Sequence, residues 1–166
     1  MNNIKIDKSV YVAPGAQIVG SVSIGKNCGV WYNAVIRGDS DTIMIGDNTN
    51  IQDLACLHVD RGHKLSIGNG VTIGHSAIVH GCLVGDNVLI GMGAIVMNDA
   101  VIEDNCIIGA GALVTGKMHI PSCSIVYGNP AKVIRSITEA EIEDIKTNAK
   151  VYVEHAQRAK LEADSH

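Results

Sequence analysis

An aliphatic residue returns every six positions along most of this chain, and that period limits what the chain can fold into. The series runs Ile6, Val12, Ile18, Ile24, Val30, Ile36, and resumes after three extra residues at Ile45, Ile51, Leu57. Four more extra residues precede Ile67, Ile73, Val79; one residue is then dropped before Val84, Ile90, Val96, Ile102, Ile108, Val114, Ile120, Val126. All twenty positions are Ile, Val or Leu. Six matches neither the helical period nor strict strand alternation. It fits a short strand plus a turn, with the aliphatic side chain pointing inward and a small residue, such as Ala34, Ala55, Ala77 or Cys106, at the corner. Glycine often follows the aliphatic position, as at Gly25, Gly46, Gly68 and Gly109. Three such units close a triangular coil of about eighteen residues. The expected fold is therefore mainly β, a left-handed parallel β-helix over residues 1–137.

The interior of such a prism is narrow, and the composition suits it. Hydrophobic residues make up 46 % of the 166, yet aromatics are only 3 %, phenylalanine is absent and glycines number 18. A compact core of this size ordinarily leans on aromatic rings. A solenoid also needs its end covered. Thr138 and Glu141 form a capping box, followed by Ile142, Ile145, Ala149, Tyr152, Ala156 and Ala159 on one stripe. This predicts an amphipathic helix over roughly 138–162. Residues 138–166 then belong to the same domain, packing on or capping the β-helix.

The net charge of −4 gives no basic footprint for a phosphate backbone, so nucleic acid is not an expected partner. The most membrane-like run, Val88–Met97, is far shorter than the roughly 18 residues a span requires, so no membrane partner is expected either. The first residues lack an apolar leader segment, and the five cysteines include no C-x-x-C pair. The expectation is a soluble, cytoplasmic, reduced protein.

Counting phase along the hexads sorts the histidines. His58 and His80 both follow an aliphatic position, in hexads one full coil apart, so they stack on one face about 4.8 Å apart. Two imidazoles so placed can share one ion at Zn–N distances of about 2.0–2.1 Å. His75 occupies the third position of its hexad, on another side of the triangle, and lies roughly 16 Å from His80 along an extended path. A site with three imidazoles would need His75 from a neighbouring subunit, and threefold symmetry suits a triangular prism. Arg37 falls one coil before His58, and Asp53 one coil before His75 with Gln52 beside it. Arg37 with Asp39 reads either as an interface salt bridge or as part of the chemistry. His63, His119, His155 and His166 read as surface residues, Cys28 and Cys106 as core packing, and Tyr152 as packing on the helix stripe. Trp31 carries no chemical signal.

The strings Val-Ile-Arg-Gly-Asp (35–39), Asn-Ile-Gln-Asp (50–53), Leu-His (57–58) and Ile-Gly-His-Ser-Ala-Ile-Val-His-Gly-Cys (73–82) resemble the γ-class carbonic anhydrase family. The similarity extends over essentially the whole chain, including Gly-Asn-Pro-Ala-Lys (128–132). The resemblance implies a homotrimer with interfacial zinc-type sites, His58 and His80 coming from one subunit and His75 from the next. It places Arg37 and Asp39 at the interface, Asn50, Gln52 and Asp53 near the metal, and Tyr152 in the active site. Two departures stand out: Ser40 replaces the glutamate after Arg-x-Asp, and only Val59–Ser66 stands where well-studied members carry a long acidic loop. The chain thus looks like a short-loop subgroup, with His63 as a candidate proton relay near neutral pH.

The function implied is reversible hydration of CO₂ to bicarbonate by a hydroxide on Zn²⁺, with Fe²⁺ or Co²⁺ suited to the same imidazole set. Gln52 would position the hydroxide, Asp53 or Asn50 would bind bicarbonate or water, and Arg37 would anchor the interface and steer the anion. Three alternatives remain. They are acyl transfer from a CoA thioester on the same fold, hydrolysis of such a thioester, and a non-catalytic metal-stabilised trimer.

Overall fold

The structure is a computed structural model that describes residues 3–163 and 165; His166 lies outside them. Each aliphatic hexad position sits in a strand of a few residues, and successive strands turn a corner rather than reversing. Parallel pairing between coils builds three faces of a left-handed parallel β-helix. The first face stacks the start of Val35–Ile45, then Cys56–His58, Ile78–His80, Ile95–Val96 and Leu113–Val114. The second stacks the end of Val35–Ile45, then Leu65–Ile67, Leu83–Val84, Val101–Ile102 and His119–Ile120. The third runs from Tyr11–Val12 through Gly29–Val30, Asn50–Ile51, Thr72–Ile73, Leu89–Ile90 and Ile107–Ile108 to Ser124–Tyr127.

The corners explain why the chain can turn every six residues. Three positions after the aliphatic residue the backbone is left-handed, at Asn27, Asn33, Asn48, Leu54, Ser76, Asn87, Asp99, Asn105, Lys117 and Cys123. Asn and Asp tolerate that conformation better than most residues, which is why asparagine is so frequent there. One corner carries a ladder between coils: the amide of Lys26 donates to Asp47 Oδ1 (2.7 Å), that of Asp47 to Asn69 Oδ1 (2.8 Å), and that of Asn69 to Asp86 Oδ1 (2.7 Å). Glycine precedes each of these acceptors because coils approach closely there. A Cβ on Gly46 would lie 2.6 Å from Asn69 Oδ1 and 2.7 Å from the Gly68 carbonyl oxygen.

Seventeen of the twenty hexad residues are buried, but the first three are not. Ile6 is 37 % and Val12 41 % exposed, and Ile18 is half-buried, because the first coil has a neighbour on one side only. At the other end Val126 is fully buried, and Lys132–Ser136 folds back antiparallel on Ser124–Tyr127.

The helix spans Glu139–Ala163 and lies along the third face, not across the end of the prism. Ile145 packs with Ile125 and Ile137 in the last coil, and Ala156 with Tyr11 and Ala13 in the first. It therefore runs back over the length of the face. Its start is held by Thr138, whose amide and hydroxyl both donate to Glu141 Oε2 (2.9 Å each). Arg135 adds a forked pair to the same carboxylate, at 2.9 and 2.6 Å. Arg135 first, then Thr138, pulls the Glu141 carboxyl from its ordinary 4.5 down to about 2. Since the folded form binds this proton less tightly than the unfolded chain, the contribution is complete above pH 4.5 and lost as pH falls toward 2. Denaturant unfolding across this window should show stability declining with acid, and Glu141→Gln should flatten part of that slope.

Candidate metal centre

The coil register brings His58 and His80 together as direct neighbours on the first face, with Arg37 opposite His58 on the coil before. Their ring centres are 4.9 Å apart, and His58 Nδ1 lies 2.9 Å from His80 Nε2. Both rings are half-buried. Asp60, two residues beyond His58, completes a group whose ligand atoms lie within 4.8 Å of one another.

Hydrogen bonds around the pair decide which nitrogens are free. His80 Nδ1 contacts Asn98 Oδ1, and the Asn98 amide donates to Asp60 Oδ2 (3.0 Å). Asn98 therefore turns its oxygen to His80, so the ring proton sits on Nδ1 and Nε2 keeps its lone pair. On His58, Nε2 lies 3.2 Å from Asp39 Oδ1. Satisfying Asp39 and His80 together would require protons on both His58 nitrogens. A divalent cation at the pair would instead be met by lone pairs. The donor set thus fits a metal of the zinc type.

Asp39 also takes Arg37 Nη1 at 2.6 Å, within one chain. The guanidinium first, and then the His58 ring, holds the Asp39 carboxyl below the usual range. Asp60 is likewise lowered, mainly by the Asn98 bond and then by the nearby histidines. His63 sits in the short loop with Nδ1 2.7 Å from Asp99 Oδ1, and its amide donates to the Asp60 carbonyl (3.0 Å). His119 contacts Glu103 at 2.7 Å on the surface, and His155 is exposed beside Tyr152.

His75 is placed elsewhere, in the turn that follows Thr72–Ile73 of the third face, with Nδ1 2.9 Å from Asp53 Oδ2. A carboxylate so close favours the proton on Nδ1 and leaves the Nε2 lone pair free. Beside it runs a chain of polar side chains. Gln52 Nε2 donates to Asn50 Oδ1 (3.1 Å), Asn50 Nδ2 to Thr72 Oγ1 (2.9 Å), and Thr72 Oγ1 to Asn148 Oδ1 (3.3 Å) on the helix. Asn50 and Gln52 are both buried. Gln52, His75 and Tyr152 line one groove of about 490 Å³. Burial first, and the Asp53 charge second, pushes the Tyr152 phenol up, so it keeps its O–H as a hydrogen-bond donor. Tyr152 also packs edge-on against Trp31 at 5.9 Å, so packing and groove lining coexist in one side chain.

Two sets of residues therefore stand on different faces of the chain: His58, His80, Arg37 and Asp39 on one, and His75, Asp53, Gln52, Asn50 and Tyr152 on the other. Sequence reasoning missed three contacts of the first set. They are Asp39 to His58, Asn98 to His80, and Asp60 to Asn98. Strand alternation gave no signal for Asp60, because the strand that carries His58 ends there.

Models of two repeat families match part of the chain: bacterial transferase hexapeptide (six repeats) over residues 81–116, and hexapeptide repeat of succinyl-transferase over 64–97. A protein of Methanocaldococcus jannaschii named "Probable carbonic anhydrase" is 54 % identical over 89 % of this chain and 93 % of its own length. "Gamma carbonic anhydrase 2, mitochondrial" of Arabidopsis thaliana is 44 % identical over 92 % of this chain. The chain belongs to the γ-class carbonic anhydrase-like family of hexapeptide-repeat proteins. It spans 57 % of the length of that plant member. The same family fold appears in the crystal structure of a hexapeptide transferase family protein from Anaplasma phagocytophilum. That protein is 41 % identical, with a TM-score of 0.89 over 93 % of this chain and 91 % of that one. Among the described residues no helix is long and apolar enough to cross a membrane.

Proposed function

We propose that this protein catalyses the reversible hydration of CO₂ to bicarbonate at metal centres shared between the subunits of a homotrimer. The observation that carries the reading is the division of the site: His58 and His80 stack in register on one face, while His75, paired with Asp53, stands with Gln52 on another. His58 and His80 of one protomer and His75 of its neighbour would hold the ion, Zn²⁺ by default and Fe²⁺ or Co²⁺ by the same imidazole chemistry. Such an ion, when bound, lowers the pKa of water to about 7 and so supplies hydroxide at neutral pH.

The remaining work falls to this chain's own side chains. Asn50 fixes the Gln52 amide by accepting a hydrogen bond from one of its N–H groups, which leaves the amide oxygen and second N–H to orient a nucleophile in the groove. Asp53 keeps the His75 tautomer and can accept a hydrogen bond from bicarbonate or water, while Asn50, buried between Gln52 and Thr72, acts on them through Gln52. Tyr152 supplies a protonated phenol at the same groove. Arg37, half-exposed beside the histidine pair, anchors the subunit contact with Asp39 and attracts the anion. His63 takes the place of the absent acidic loop as a proton relay. Assembly is supported by an outward column of Val35, Cys56, Ile78, Ile95 and Leu113 beside the histidines, with Ile78 and Ile95 exposed in the single chain.

The test is purified protein with its metal quantified, followed for CO₂ hydration and separately for acetyl-CoA turnover. CO₂ hydration that disappears on chelation and returns with zinc is the expected result. Acetyl-CoA turnover without CO₂ hydration would move the assignment to acyl transfer or thioester hydrolysis. Full metal with neither activity would leave a structural trimer.

A further inference from the structure

We propose that Asp60 is a positioning residue for the metal centre, setting the tautomer of His80 through the side chain of Asn98. This rests on the reading of His58 and His80 as metal ligands. The Asn98 amide lies between the two groups, its oxygen toward His80 Nδ1 and its NH₂ toward Asp60 Oδ2 at 3.0 Å. Rotating that amide by half a turn would present NH₂ to His80. Nδ1 would then have to accept, the ring proton would move to Nε2, and the nitrogen that faces His58 would lose its lone pair. The shape of the amide does not choose between these orientations. An ionised carboxylate does, because it accepts only and therefore tolerates only the NH₂ end.

Asp60 reaches this position through the local chain. Where the repeat is interrupted after His58, residues 60–63 form a turn in which the His63 amide donates to the Asp60 carbonyl at 3.0 Å. This turn holds the Asp60 side chain beside the coil that carries Asn98. A residue of this short loop thus serves the ligand. Asp60 also lies close enough to His58 and His80 to be considered a ligand itself. Its Oδ2 is committed to the amide, and that favours positioning.

The experiment reads His80 in the chelator-treated protein by long-range ¹H–¹⁵N correlation at pH 8, and zinc affinity by chelator competition. In the unaltered protein His80 should carry its proton on Nδ1. Asp60→Ala should give a mixture of tautomers and weaken zinc binding about tenfold or more. Asp60→Asn should give a mixture as well, since its amide can turn either end to Asn98 and no longer selects one orientation. An Nε2-protonated His80 in the unaltered protein, or an Asp60→Ala variant unchanged in both readouts, overturns the proposal. Zinc binding lost in Asp60→Ala with the Nδ1 tautomer intact would make Asp60 a ligand and overturn it too. If the tautomers behave as stated but no zinc binds, the metal reading fails and the positioning role stands.

Discussion

Replacing His75 with alanine should strip the protein of its metal and reduce CO₂ hydration to background, although His75 lies on a different face from His58 and His80. Loss of an outer contact to a ligand typically costs 10–100-fold in affinity. Loss of one ligand of three should exceed about a hundredfold on the same scale. The geometry allows a sharper form of the test. The His75→Ala chain keeps the pair His58 and His80, while a His58→Ala chain keeps His75 with its Asp53 partner. Each should be inactive alone. Refolded together at equal amounts, they should recover roughly a quarter of the sites, because a quarter of random neighbour contacts place the intact halves together. Metal analysis and CO₂ hydration on the mixture measure this directly. Full metal occupancy in His75→Ala, or no recovery on mixing, would defeat the shared site.

The logic of that test was available from phase alone, which shows what kind of information a solenoid sequence carries. The inward position recurs by geometry, so counting from it placed His58 over His80, Arg37 before His58 and Asp53 before His75, and the register agrees at each. Counting fails where residues are inserted. Asp60 follows the end of strand Cys56–His58, where four extra residues break the repeat, so phase does not say which way its side chain turns, although it does put Asn98 on the same face. It fails also for outward side chains that another element covers. Trp31 carries no chemical signal in the sequence, yet it stands between Tyr11 at 5.5 Å and Tyr152 at 5.9 Å because the helix returns along that face. The left-handed corners were legible in principle, since asparagine recurs three residues after the aliphatic position. The exposed first coil was not, because the period is as regular at Ile6 and Val12 as it is in the middle.

That difference between ends and middle should appear as a large gap in stability. Ile73 is fully buried in mid-prism, in register with Ile51 on one side and Ile90 on the other. Ile73→Ala removes side-chain volume from an interior about one residue wide, where the neighbours are themselves fixed by coil register and cannot move in to fill the gap. The expected cost is therefore in the usual range for a buried isoleucine, about 2–5 kcal/mol. For a domain of this size it should lower the unfolding midpoint by roughly 4–20 °C. Ile6 has the same place in the repeat but is 37 % exposed with a coil on one side only. Ile6→Ala should stay within about 0.5 kcal/mol, as surface changes do. Thermal unfolding at one protein concentration separates the two, since assembly makes the midpoint concentration-dependent. Equal losses would mean that the first coil is covered as thoroughly as the middle, contrary to the exposure seen at Ile6 and Val12.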